Sequence, residues 1–219
     1  LWVYEAKGLW DEFGKQITVT YYDSADIDDV VTTVKAEFDS PVTAISTSTS
    51  EISVASPYTV ADIEIEWESP AELLKQLAIL QGDVQYGVDQ NGKLYFKDVV
   101  TTDYAHYVVG THVAQLDVQE DADTLVNDVY VQSKVMVGGG QLTLHASDAT
   151  SITAYGTRSK VVQLRNTKDA GDAIQYMNNI VAQNKDPKQR VVGDFPPFSN
   201  FIFPRGQVRI IDTDATEYH

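Results

Sequence analysis

Residues 125–158 read LVNDVYVQSKVMVGGGQLTLHASDATSITAYGTR and alternate between strand-forming runs and turn residues. β-Branched and aromatic residues predict strands over 127–133 and 141–146, and the three glycines at 138–140 predict the loop between them. After the second strand, Asp148 and Ser151 are placed to cap a short turn by hydrogen bonding to backbone amides. This stretch therefore predicts a β-rich unit whose strands are joined by short polar turns.

Three helices are predicted on either side of this stretch. The first starts at Asp23-Ser24, ends at Asp39-Ser40-Pro41, and has apolar residues at helical spacing: Ile27, Val30, Val31, Val34 and Phe38. The second starts at the capping box Ser69-Pro70-Ala71-Glu72 and ends at Gly82. Its apolar face comprises Leu73, Leu74, Leu77, Ala78 and Leu80.

The third helix is predicted from near Thr167 to about Asn184, before Asp186-Pro187. Its buried stripe is predicted to comprise Ala170, Ala173, Ile174, Met177, Ile180 and Val181.

Most of the remaining chain is predicted to form strands. Residues 84–88 and 93–97 flank Asp89-Gln90-Asn91-Gly92, which predicts a hairpin because Asn-Gly favours the positive φ of its turn. The order of elements predicts an α+β protein, mainly β. Residues 1–22 would end an upstream β unit, 23–100 would form a small α/β domain, and 101–219 would form a β-barrel-like domain with the helix near 167–184.

The composition narrows the function classes. Of 219 residues, 32 are acidic and 16 basic, which gives a formal charge of −16. So negative a surface repels phosphate and disfavours stable nucleic-acid binding and docking to anionic membranes. No run reaches the ~18 apolar residues of a membrane helix, so membrane insertion is not expected. Cysteine is absent, which excludes disulfides and thiolate chemistry. Both ends look truncated, and we interpret the sequence as a fragment of a longer polypeptide.

Candidate chemistry is sparse. His106 and His112 would lie about 20 Å apart on a strand, too far to share a metal unless Gly110 bends the chain. Two acidic clusters lack calcium-loop spacing, and we interpret both as solvated surface charge. One comprises Glu120, Asp121 and Asp123, and the other comprises Asp26, Asp28 and Asp29. Serine-nucleophile and phosphate-loop motifs are missing. We therefore predict no catalytic residue, no cofactor-binding residue and no metal ligand, and a protein that is not an enzyme.

Several motifs together resemble a known family. LVNDVYV at 125–131 is followed by a strand, by Asp148-x-x-Ser151-Ile152-x-x-Tyr155-Gly156 and by an alanine-containing helix at 170–181. Upstream come the leucine-rich helix ending at Gly82 and the hairpin at 88–96, and downstream comes Pro204-Arg205-Gly206-Gln207-Val208. In content and order these motifs resemble the baseplate-hub, or tail-tip hub, proteins of bacteriophage tails over roughly residues 15–212.

The resemblance implies an architecture and a role. Proteins of that family are trimers in which two β-barrel units per subunit form a ring that continues the tail tube, with an α/β unit outside. It implies that 101–219 is a tube domain, that Tyr155-Gly156 is a turn after a barrel strand, and that most of a first barrel is absent. The implied function is a structural virion protein that connects tail tube to tip or spike and lets DNA pass. The implied partners are other copies of itself, as a homotrimer, tail-tube proteins, and tip, spike or fibre proteins. The implied location is the virion tail, and the host cytoplasm during assembly.

Two other functions stay open at this point. A glycan-binding module of a tail or surface protein would present Trp2, Trp10 and Trp67 on an exposed face. A tail-associated hydrolase would place two carboxylates in one pocket and raise the pKa of at least one of them.

Overall fold

The computed structural model describes residues 18–39, 51–88, 93–99, 103–111, 113, 116–135, 140–193, 207–211 and 217–218. Four helices lie in this part of the chain: α1 (Ile27–Asp39), α2 (Pro70–Gln81), α3 (Ala149–Tyr155) and α4 (Ala170–Asn184). No described helix combines the length and apolar character needed to cross a membrane.

The same residues contain thirteen strands. In chain order they are β1 (Thr18–Asp26), β2 (Ile52–Ser53), β3 (Thr59–Glu68), β4 (Val84–Val88), β5 (Leu94–Asp98), β6 (Asp103–Val108), β7 (Leu116–Asp121), β8 (Asp128–Val135), β9 (Gln141–Ser147), β10 (Ser159–Leu164), β11 (Lys188–Gly193), β12 (Gln207–Ile211) and β13 (Glu217–Tyr218). An α+β protein in which strands dominate is confirmed.

Contacts divide the chain into two compact units, and each unit combines two separate stretches. The larger unit comprises residues 1–98 and 126–185, and the smaller comprises 99–125 and 186–219. In the larger unit β1 pairs antiparallel with β3, β5 lies between β2 and β4, and β8 lies between β10 and β9. In the smaller unit β7 pairs antiparallel with β11, and β12 lies between β6 and β13. The described strands form no closed barrel.

The core of the larger unit lies between its helices and sheets. The fully buried faces of α1 and α2 belong to one apolar cluster with strand residues such as Val60, Phe96 and Val129 and with the stripe Ala173, Met177 and Ile180 of α4. Each buried large aliphatic side chain contributes about 1.5–3 kcal/mol by leaving water. Residues 126–185 therefore share one core with the α/β segment that precedes them. This grouping differs from a boundary at residue 100, and the predicted domains 1–22, 23–100 and 101–219 stay a prediction.

The helix predictions are largely confirmed, with two corrections. Helix α2 has the predicted cap, since Ser69 accepts a hydrogen bond from the Glu72 N–H and Gly82 has φ 99°. Helix α1 begins at Ile27, later than predicted, because β1 continues to Asp26 and pairs there with β3. In α4, Ile174 is 43% exposed, contrary to the prediction. The buried face includes Asp172 and Tyr176 instead.

The predicted hairpin over 84–97 is present as antiparallel β4 and β5, although its turn residues 89–92 lie outside the described residues. The Ser/Thr-rich residues 43–49, whose sequence predicts a further short strand, also lie outside them.

Candidate functional site

Asn127, the buried asparagine of the LVN motif, joins three elements of the larger unit. Its side chain is fully buried directly before β8. Nδ2 donates to Ser151 Oγ at 3.0 Å and to the Gly156 carbonyl at 2.9 Å, while Oδ1 accepts from the Arg158 N–H at 2.8 Å. Both amide hydrogens are thus used, and rotating the amide would set donor against donor at Arg158. Asn127 therefore fixes β8 to both ends of α3 and to the start of β10.

Ser151 extends the contacts to helix α4. It is buried in α3, and its hydroxyl donates to the Lys185 carbonyl just past the end of α4. The adjacent Asn184 carbonyl accepts from the Val126 N–H at 2.8 Å. These bonds satisfy carbonyls that a helix C-terminus leaves without an intrahelical partner. Ser151 was predicted to bond backbone amides; instead it binds a carbonyl and the Asn127 side chain.

Asp148 caps α3 as predicted. Its Oδ1 accepts from the Ser151 N–H at 2.8 Å, and its Oδ2 lies 3.2 Å from Lys185 Nζ. The backbone hydrogen bond from Ser151, followed by the Lys185 ammonium, lowers the pKa of Asp148.

At the C-terminal end of α3, Gly156 has φ 77° and its N–H donates to the Ile152 carbonyl. Tyr155-Gly156 therefore ends a helix and is not a turn after a strand.

Asp128, His145 and Ser159 meet on the sheet β10-β8-β9. Asp128 Oδ2 accepts from Ser159 Oγ at 2.5 Å, and Oδ1 lies 2.5 Å from His145 Nε2. His145 stacks on Tyr130 with ring centroids 4.4 Å apart. Hydrogen bonds from Ser159 and then His145 lower the pKa of Asp128. A nucleophilic serine must bond the histidine that takes its proton, whereas Ser159 bonds the carboxylate. The three residues therefore order the sheet and do not form a catalytic triad.

Asp172 is a buried carboxylate that ties the start of α4 to β3. It accepts from the Ala61 and Asp62 N–H groups at 3.1–3.2 Å and from the Tyr58 hydroxyl at 2.9 Å. Burial of the Tyr58 ring, followed by its hydrogen bond to the Asp172 carboxylate, raises the pKa of Tyr58. Several donors thus compensate the desolvation of one charge. A cavity of about 20 Å³ beside Asp172 has room for a water molecule and not for an organic substrate.

The structure tests few of the candidate histidines and tryptophans. The side chains of His106 and Trp67 lie outside the described residues, as do His112, Trp2 and Trp10 entirely. The expected separation of His106 and His112 and the alternative of an exposed tryptophan face therefore stay untested.

The acidic clusters are open to solvent to different degrees. Glu120, Asp121 and Asp123 are exposed. The carboxylates of Asp26, Asp28 and Asp29 lie within 4.8 Å of one another at the start of α1. There Asp26 accepts from the Thr59 hydroxyl and Asp28 from the Asp29 N–H. Acids in this position favour the positive end of the helix dipole, so the cluster has a structural explanation.

Sequence reasoning missed the contacts of Asp128, His145 and Asp172. The register of the strands contained part of the signal, because β8 places Tyr130 opposite His145 and Asp128 opposite Ser159. The contact of Asp172 with β3 joins residues 110 or more positions apart, and no local sequence pattern indicates it.

The fold is shared with solved tail proteins. The chain matches the prophage MuSo2 43 kDa tail protein from Shewanella oneidensis (TM-score 0.56, 15% identity, 90% of this chain and 59% of that one). It matches the tail protein from Neisseria meningitidis MC58 (TM-score 0.58, 13% identity, 91% and 61%). It also matches the prophage tail protein gp18 from Listeria monocytogenes EGD-e (TM-score 0.52, 12% identity, 94% and 60%).

The chain has a phage tail-protein fold. It spans about three fifths of the length of each of these tail proteins. No family model and no curated protein sequence matches it. This chain shares only 12–15% of its residues with the three tail proteins. Packing and hydrogen bonding therefore maintain the same fold with few identical side chains. In this chain, the Asn127, Ser151 and Asp172 contacts supply that bonding within the larger unit.

Proposed function

We propose that this chain is part of a structural subunit of a phage tail, located in the virion tail and without enzymatic activity. The observation that carries the proposal is the tail-protein fold over 90–94% of the chain. The buried polar residues support it, because Asn127, Ser151 and Asp172 are occupied in joining elements and not in lining a substrate cavity.

The finer part of the proposal concerns the tail tip. We propose a baseplate-hub or tail-tip hub role, in which copies of the protein form a homotrimeric ring with a barrel-like tube domain. The ring would connect tail-tube proteins to the tip, spike or fibre proteins and let DNA pass. The resemblance of the LVN and Asp-x-x-Ser-Ile motifs to hub proteins supports this role.

The charge supports passage of DNA without binding. A net charge of −16 repels the phosphate backbone, so a wall built from such subunits would release DNA and not retain it. Stable nucleic-acid binding would work against ejection.

Native mass and particle shape test the proposal. Light scattering should give three times the 24.2 kDa of one chain, and negative-stain images of the same fraction should show a ring. A monomer at all concentrations, together with no incorporation into tails assembled in its presence, would contradict the hub role.

A separate measurement tests the role of the charge. Fluorescence anisotropy with labelled duplex DNA in about 50 mM salt should show no saturable binding, since low salt strengthens any phosphate attraction. Saturable binding would contradict the DNA-passing role and leave the tail-protein fold unaffected.

A further inference from the structure

Strand β10 forms an open edge of the three-stranded sheet β10-β8-β9. It pairs in parallel with β8 on one side, and no described strand pairs with its other side. Its first three residues are exposed, and Val161 is 62% exposed. An edge strand presents a row of backbone N–H and C=O groups that another strand can pair with.

A groove runs alongside this edge. It has a volume of about 500 Å³ and is lined by residues of α2, β10 and α4. Its apolar side chains include Ile79 of α2, Val162 of β10 and Ile180 of α4. Because neighbouring strands lie about 4.8 Å apart, a segment paired with β10 would lie in this groove and cover those side chains.

The edge is basic in an otherwise acidic chain. Residues 158–165 contain Arg158, Lys160 and Arg165 and no acid, although acidic residues outnumber basic ones two to one overall. Lys160 and Lys75 both line the groove. Glu72, which lies 3.8 Å from Lys75, also lines the groove, so the charged side chains of its lining carry one net positive charge. An added strand with acidic side chains would meet complementary charge.

We propose that the β10 edge binds an extended acidic segment of a partner protein as an added strand. Main-chain hydrogen bonds to β10 would supply the pairing, and alternate side chains of the segment would enter the groove. Lys160, with Arg158 and Arg165, would select acidic over basic segments. The proposal rests on this surface alone and does not depend on the tail role.

The probe is a blocked, fluorescein-labelled decapeptide of alternating valine and glutamate, titrated with the whole chain. We expect saturable binding below about 1 mM and binding at least about tenfold weaker for a valine–lysine peptide. Lys160→Glu should weaken binding of the glutamate peptide about threefold to tenfold, because an attraction at an exposed site becomes a repulsion. The same variant should bind the lysine peptide more tightly than the parent chain does. Lys188→Glu is the matched control, since Lys188 is exposed on β11 in the other unit.

Two N-methylated peptides test the pairing itself. Successive N–H groups of a strand point to opposite sides, so methyl groups on all valines or on all glutamates block different edges. Strand addition predicts that one of these peptides loses binding and the other retains it. Equal binding of both, no binding up to 1 mM, or an unchanged charge preference in Lys160→Glu would overturn the proposal. A dimer that Lys160→Glu dissociates would make a second copy the occupant and would also overturn it.

Discussion

Replacing Asn127 with alanine should destabilise the larger unit more than any single polar change in the adjoining strand β8. The substitution removes three side-chain hydrogen bonds and leaves the Arg158 N–H and the Gly156 carbonyl without their protein partner. At roughly 1 kcal/mol for each bond, plus the penalty for unsatisfied buried groups, the free energy of unfolding should fall by about 3–5 kcal/mol. Domains are stable by only about 5–15 kcal/mol, so the change would be large.

Urea unfolding followed by ellipticity at 222 nm measures this loss, because the described helices all belong to the larger unit. Asn184→Ala is the control. Asn184 is half-buried and its side chain donates one bond, to Ile180 of its own helix, so the loss should be about 1 kcal/mol or less. If Asn127→Ala costs no more than this control at the same m-value, the account of the LVN motif is wrong.

A variant of nearly the same shape separates hydrogen bonding from volume. Asn127→Asp keeps the acceptor for Arg158 but turns two donors into lone pairs, one of which faces the Gly156 carbonyl. Burial would raise the pKa of the new carboxyl in the folded state, so this variant should recover stability as the pH falls. A loss that stays constant with pH would contradict the assigned donors.

Three further changes test other parts of the larger unit. Asp172→Asn should lower the free energy of unfolding by about 2–4 kcal/mol, because an amide cannot accept as many bonds from the backbone of β3, and hydrogen exchange in β3 should quicken. Ser159→Ala should raise the pKa of Asp128, which carboxyl NMR can follow. Hydrogen bonds hold this pKa below its unfolded value, so the stability that the carboxylate provides is present at neutral pH and is lost as the pH falls through the folded pKa. The variant should therefore unfold at a higher pH than the parent chain in an acid titration. Gly156→Ala should cost about 1–3 kcal/mol in thermal unfolding because φ is 77° and ψ is 170°, whereas Gly140→Ala, with open space around its Cβ position, should change stability by less than about 0.5 kcal/mol.

Local signals in the sequence were sufficient where one element determines its own structure. Helix α2 combines a capping box, a proline at its first turn, five apolar residues on one face and a terminal glycine, and all of these features act within fifteen residues. The β-branched and aromatic runs likewise located β4, β5, β8 and β9 to within about two residues.

Features that depend on distant partners were not predictable in the same way. Ile174 has the spacing of a buried residue, but bonds from β3 to Asp172 turn the buried face of α4 toward Asp172 and Tyr176. Helix α3 has seven residues, too few for a periodic pattern, and its ends are fixed by Asn127 and Gly156. The residues that bond to one another around Asn127 and Ser151 lie 24 to 34 positions apart in the sequence. The LVN motif was therefore recognisable in the sequence, whereas its hydrogen bonds were not.

The interleaving of the two units constrains how the protein is made. The larger unit requires both residues 1–98 and residues 126–185, so its core closes only after Lys185 has left the ribosome. Until then α2 is synthesised without the stripe of α4 that packs against it. A nascent chain stopped between residues 99 and 125 would expose leucine-rich surface, and we expect it to aggregate or to engage a chaperone.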